Sequence, residues 1–292
     1  MASGAALEVN KMKALEDRIK APSVWGRMPI GLRFEDLQDR RYDEAAKFLK
    51  KHYLNEEITY RSMKIIEDKE GTDEFIHNAR IWMKDKMSIA VIKEGTDKLV
   101  GLLIMRIQEK NAFSRTFSRV KITYNPLYSA VMKYYNEVEY PVNVFEVLKC
   151  RRYLKIYIMA VKHRYRHRGV IKQLLKSSVG LAASAFVPGM MGIFTTGRGQ
   201  QIAEEIGFKK YNEIYYIRYI VDDKILIWDI GSGNYGAAVM AYRIPGIEEP
   251  TDPLQVVSSS RFNIDIDDEE EAQTTEATKE ESEKTAAQPE NK

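Results

Sequence analysis

Three arginines, Arg164, Arg166 and Arg168, crowd against Gly169 in the run RYRHRGVIKQLL, which then turns at once to apolar residues at helical spacing. The first backbone N–H groups of a helix have no intrahelical partner and carry the positive end of its dipole, so such a junction can seat a pyrophosphate. Gly169 removes a side chain where a phosphate must come close, and Arg166 and Arg168 add charge beside it. The same residues also suit a plain solvated basic loop, and the stretch alone leaves both readings open. His163 and His167 lie four apart, but in an arginine-dense turn without a carboxylate, so no metal site is expected there. Cys150 is the only cysteine, which excludes an intrachain disulfide and a thiolate metal cluster. It reads as a small structural residue rather than a nucleophile.

The elements that must position this junction follow from periodicity. Gly31 to Leu37 reads as a strand and Asp43 to Tyr53 as a helix. Thr72 to Lys86 reads as a second helix, with Thr72 and Asp73 as cap candidates. Ser88 to Lys93 and Lys98 to Arg106 flank EGTD as a hairpin. Arg152 to Lys162 is a strand that delivers the chain to the arginines, and Gly169 to about Phe186 is the helix behind them. Met190 to Thr195 is a short buried strand, followed by a helix over Gln200 to Ile206 closed by Gly207. Tyr211 to Val221, Lys224 to Ile230 and Tyr235 to Ile244 are the last strands. The aromatic run from Tyr124 to Phe145 reads as a long loop, either lining an apolar pocket or packing the core. The order predicts a mixed α/β domain of three layers.

The 292 residues divide by composition into a leader over 1–22, a domain over 23–248 and an acidic tail over 249–292. The tail's poverty in apolar residues predicts disorder, because too little burial is available to offset ordering entropy. The net charge of +3 conceals an asymmetry: Asp265 to Lys292 holds eleven acids and three lysines, leaving 42 basic and 31 acidic residues before it. That basic body suits an anionic partner. No apolar run approaches a membrane span or a signal peptide, so a soluble, cytoplasmic protein without a membrane partner is expected.

The junction VKHRYRHRGVI resembles the R-x-x-G-x-G/A signature of the GNAT superfamily of acyl-CoA-dependent N-acetyltransferases, through Val161, Tyr165, Arg166 and Gly169. It departs at Ile171, where that family has glycine or alanine, and at His163, where many members have proline. Downstream, FTTGRGQQIAEEIGFKKY is similar to the second conserved GNAT segment, and the hairpin stands where the family has its central antiparallel strands. Upstream, HYLNEEI resembles the H-F-F-x-D-E-P-L region of insect arylalkylamine N-acetyltransferases, and NVFEVLKCRRYLKIYIMAV resembles the strand approach of that branch. The resemblance spans roughly residues 25 to 245.

It implies a GNAT-type, mostly antiparallel mixed sheet flanked by helices, and an acetyl-CoA co-substrate without a metal. The cofactor seat it implies is Ala160, Val161, Arg166, His167, Arg168, Gly169, Val170 and Ile171. It puts Glu57 on the family's catalytic glutamate, a general base that frees the amine of its proton; on its own, Glu57 beside Glu56 equally suits a solvent-facing helix end. Two serines near the leaving thiol fall here on Thr195 and Gly199, so Thr195 keeps a hydroxyl and Gly199 has none. Position 58 is isoleucine where the branch has proline. The expected partner is a small primary amine taken up by a monomer. The alternative is a protein of this fold, weakly active or inactive, that binds CoA or a protein partner. Nucleic acid is a third class that the body charge raises, but the basic residues gather where cofactor phosphates account for them and no nucleic-acid motif accompanies them.

Overall fold

The computed structural model describes residues 21–110 and 124–249. The expected leader and acidic tail fall outside these residues apart from their inner ends. Eight strands form one sheet in the order β1-β2-β3-β4-β5-β6-β10-β7. They are β1 (Val24–Met28), β2 (Leu32–Asp36), β3 (Ile89–Lys93), β4 (Lys98–Glu109), β5 (Arg152–Val161), β6 (Gly189–Phe194), β7 (Lys209–Tyr215) and β10 (Gly236–Arg243). The short pair β8 (Ile220–Val221) and β9 (Lys224–Ile225) stands apart. All neighbours in the large sheet are antiparallel except β5 and β6. The helices are α1 (Tyr42–His52), α2 (Ile58–Ser62), α3 (Lys69–Lys84), α4 (Pro126–Glu139), α5 (Val144–Val147), α6 (Val170–Ser184) and α7 (Gly197–Ile206).

Strand alternation distributes the apolar residues to two faces, which explains why the strands read as continuous apolar runs. In β3, Ile89 and Val91 join the core under α6 and α7, while Ala90 and Ile92 join the core under α1, α3 and α4. Helix α6 docks through Val170, Leu174, Leu175, Leu181 and Ala182, all buried. Burial of each of these leucines contributes about 1.5–3 kcal/mol. The far end of the sheet closes on Tyr134, Val138 and Tyr216.

The expected three-layer arrangement is present, with several local corrections. The run from Tyr124 to Phe145 is not a loop: Asn125 caps α4 by accepting from the Tyr128 N–H at 2.9 Å, with Pro126 in the first turn. Tyrosines are middling helix formers, and five in this stretch masked the helical period. Helix α3 begins at Lys69 rather than Thr72, capped by Asp68, which accepts from the Gly71 N–H. Thr72 instead donates its hydroxyl to the Ile65 carbonyl. The two caps also meet, since Asn125 donates to Asp68 at 3.0 Å. Helix α7 starts at Gly197, three residues earlier than expected. The strand expected over Tyr211 to Val221 is interrupted by a 3-10 turn at Tyr216–Arg218, and that over Lys224 to Ile230 is reduced to β9.

Candidate active site

The site grows from a defect in β5. Ile156 lies opposite Met105 and Ile158 opposite Ile104, neighbours on β4, so Tyr157 is an extra residue and β5 bulges there. The bulge reverses which residues face which layer: Leu154 and Ile156 lie in the α6 core, Ile158 and Ala160 in the core across the sheet. The parallel ladder between β5 and β6 stops at the same place, with Ile156 opposite Gly192. Beyond it β5 runs on to Val161, and the two strands separate around a cavity of about 520 Å³.

One end of the cavity is the seat anticipated for a cofactor. Lys162 donates to the Val100 carbonyl at 2.9 Å, so alternation turns the Val161 N–H and carbonyl away from β4, toward the gap. Gly169 occupies the N-cap position of α6 with φ +75°, and no side chain caps that helix. The opening N–H groups of α6 are thus available at the cavity, which His167, Gly169, Val170 and Ile171 line. A Cβ at Gly169 would meet only Met28 Cε at 3.9 Å, so the left-handed backbone, and not crowding, is what requires glycine. Ala160 and Val161 also line the cavity. Ile171 is half-buried, and its side chain rests on the core. Arg168 is exposed and stands outside the cavity wall. Arg166 lines the cavity, but its Nε donates to the Val161 carbonyl at 3.0 Å and its Nη2 pairs with Glu56. It therefore ties the turn before α2 to the end of β5.

That turn presents Glu57. Its Oε2 accepts from the Thr59 N–H at 2.8 Å and the Tyr60 N–H at 3.1 Å, capping α2, and from the Thr59 hydroxyl. The Thr59 oxygen lies 2.8 Å from the Tyr135 hydroxyl. Oε1 is buried and has no hydrogen-bond partner. Glu57 is therefore a helix-end acid, as its position suggests, but one turned inward to the cavity. Burial, and then the Glu57 charge, drive the phenols of Tyr135 and Tyr53 well above their ordinary pKa; burial, with smaller contributions from neighbouring phenols and Glu57, does the same for Tyr60. The carboxylate thus stands among neutral rings. His52 lies nearby, its pKa lowered chiefly by burial and then by Lys162.

Across the gap, Thr195 lines the cavity and its carbonyl accepts from the Tyr216 hydroxyl at 2.6 Å. Gly199 is buried in the first turn of α7, where its N–H donates to Thr196 Oγ1 at 3.0 Å. Cys150 is buried away from the cavity wall, its thiol pushed up to about 11 by burial and then by Glu249. Among the described residues no cluster of His, Cys, Asp or Glu has metal-binding geometry. No described helix is long and apolar enough to cross a membrane.

Several wall residues escaped the sequence reading. Thr196 carries a visible signal, a threonine three residues before a glycine at a helix start. Tyr135 falls in the aromatic run read as possible pocket lining, but its link to Thr59, which is not among the lining residues, depends only on the fold. Lys155 and Glu139 form an ion pair on the cavity wall, with Nζ at 2.7 and 2.6 Å from the two carboxylate oxygens. Burial alone would lower the Lys155 pKa, but Glu139, followed by Tyr157 and Tyr153, overrides it and raises it. Trp82 stacks on Tyr157 with ring centres 4.5 Å apart beside this pair.

No protein-family model matches the sequence, and no curated protein matches it. Solved structures do. The protein designated arylalkylamine N-acetyltransferase 7 of the yellow fever mosquito Aedes aegypti matches at a TM-score of 0.67 and 20% identity, over 76% of this chain and 95% of its own. Arylalkylamine N-acetyltransferase 2 of Aedes aegypti matches at 0.66 and 20%, over 73% and 99%. The polyamine N-acetyltransferase of Drosophila melanogaster, which forms N-acetylagmatine, matches at 0.60 and 11%, over 73% and 100%. With its strands parted around a cavity and a helix N-terminus opening into it, the chain has the GNAT fold, in the form that resembles the insect arylalkylamine N-acetyltransferases.

Proposed function

We propose that the chain is an acetyl-CoA-dependent N-acetyltransferase that moves an acetyl group to a small, arylalkylamine-like primary amine by direct attack, with Glu57 as general base. The observation that carries this reading is Glu57 Oε1, a buried carboxylate oxygen without a partner, on the wall of the cavity into which the uncapped start of α6 opens. An alkylammonium has a pKa near that of lysine, about 10.4, so the amine arrives protonated and must lose a proton before it attacks. Oε1 is the acceptor, while the bonds from Thr59 and Tyr60 hold Oε2 and fix the orientation of the group. Such a base is worth roughly 10²–10⁴-fold in rate.

The residues at the other end fit the co-substrate. The α6 N–H groups from Gly169, Val170 and Ile171 suit a pyrophosphate, with Arg166 and His167 on the cavity wall and the exposed Arg168 beside them. Val161, beside Ala160, offers an N–H toward the gap for an acyl oxygen that gains charge. Acetyl-CoA, when bound, supplies the activated thioester. The test is Glu57→Gln: acetyl-CoA binding by calorimetry is retained and acetyl transfer slows by about 10²-fold or more. An unchanged rate across the pH range sinks the assignment.

Gly199 favours the second reading, a weak or inactive protein that binds CoA or a partner, because it carries no hydroxyl at position 199. Binding of acetyl-CoA without transfer to any amine in a broad screen would select that reading.

A further inference from the structure

Three carboxylates line the cavity, and two of them are already neutralised: Glu56 by Arg166 and Glu139 by Lys155. Glu57 is the lining carboxylate that has no cationic partner among the described residues. The site therefore holds one free negative charge, matched to one ammonium.

Glu139 nevertheless stands where a longer acceptor would reach. On α4 it lies one turn beyond Tyr135, which is bonded through Thr59 to the Glu57 group. Residues four apart share a helix face, here about 6 Å apart along the axis. Lys155 is brought to it because Lys155 and Tyr157 precede and form the bulge, on the side of β5 where Tyr157 meets Trp82. Nζ sits between both Glu139 oxygens and lies 5.2 Å from the centre of the Tyr157 ring.

We propose that Lys155 is a specificity-determining residue that masks Glu139, so that the site takes an amine with one positive charge and rejects diamines and guanidino-amines. The inference rests on the proposed amine site and names its substrate class. A second cation at the far end of an acceptor meets an occupied carboxylate and a lysine of its own sign. A neutral far end meets Trp82 and Tyr157.

The test uses the full chain with CoA, which has no acetyl group to give, and titrates hexylamine and cadaverine by calorimetry. These probes differ only in a far-end methyl or ammonium. Wild-type protein is expected to bind hexylamine at least about tenfold tighter. Lys155→Met and Lys155→Gln are expected to shift the ratio toward cadaverine by about tenfold or more, because the half-buried Glu139 carboxylate is left unpaired. The double variant Lys155→Met, Glu139→Gln is expected to lose that gain. Equal binding of the two probes by wild-type protein overturns the proposal, as does binding of neither, or an unchanged ratio in either folded single variant. Acetyl transfer from acetyl-CoA to hexylamine is followed separately. Transfer with an unchanged ratio overturns this inference alone, and a shifted ratio without transfer overturns the transferase reading alone.

Discussion

Glu57 and Thr59 are joined twice, because one carboxylate oxygen accepts from both the backbone N–H and the hydroxyl of Thr59. The cap that starts α2 and the proposed base that faces the cavity are thus the same side chain, and the two roles are separable. Glu57→Gln keeps an oxygen that can cap, so it is expected to lose activity with little loss of stability. Glu57→Ala loses both, and urea denaturation should show a further cost of about 1 kcal/mol, the usual loss of an N-cap. Equal stability of the two variants would mean that the cap is inconsequential.

Thr59→Val isolates the hydroxyl. It leaves the backbone bond to Glu57 but removes the link to Tyr135. The expected cost is about 1 kcal/mol of stability, since two half-buried groups, Glu57 and Tyr135, lose a hydrogen bond. Transfer should slow by less than in Glu57→Gln. A larger kinetic effect than that of Glu57→Gln would make Thr59, not Glu57, the group on which proton removal depends.

Gly169 is required by its backbone angle, with open space around it. Gly169→Asn is accordingly expected to be tolerated, because asparagine enters the left-handed region, whereas Gly169→Val is expected to cost about 1–2 kcal/mol. Acetyl-CoA titration should show affinity retained in the first and weakened in the second, where the start of α6 is distorted. Equal affinity in both variants would remove α6 from the cofactor seat.

What was legible in the sequence follows from what is local. The strand that ends at Val161 and the helix that begins at Val170 are adjacent runs of different period, broken by an arginine-rich turn with one glycine, so their junction stands out. The hairpin from Ile89 to Glu109 is likewise written in one stretch, with Gly95 and Asp97 both at positive φ in its turn. The bulge at Tyr157 was not legible, because an extra residue is defined only against the register of β4. Nor was the pairing of Lys155 with Glu139, which depends on a helix that aromatic residues disguised. Lys155 did carry one sign: it is a charge set between Leu154 and Ile156 in a run that is otherwise apolar or aromatic as far as Val161.

Cys150 offers a test of what the site excludes. Its thiol pKa is raised from 9.0 to about 11, so the folded chain holds this proton more tightly than the unfolded chain. Its contribution to stability is present below pH 9 and is lost as pH rises toward 11. Iodoacetamide is expected to label the folded protein about 100-fold more slowly than the unfolded protein at pH 8, in proportion to thiolate. Cys150→Ala should leave acetyl transfer unchanged. Loss of transfer without loss of stability would bring the thiol into the chemistry.

Arg166 joins the proposed cofactor end of the cavity to the proposed base, since its two arms reach the Val161 carbonyl and Glu56, the neighbour of Glu57. A planar fork serves two directions at once, which an ammonium does not. Arg166→Lys is therefore expected not to restore the rate lost in Arg166→Gln. If the arginine acts by holding Glu56, the effects of Arg166→Gln and Glu56→Gln overlap. The double variant should then fall short of their sum by about 1 kcal/mol in the activation free energy. If it acts only as charge for phosphates, the effects add, and the loss sits in the KM for acetyl-CoA rather than in kcat. The split between these two parameters decides whether this arginine, singled out by its place beside Gly169, holds the cofactor or the base.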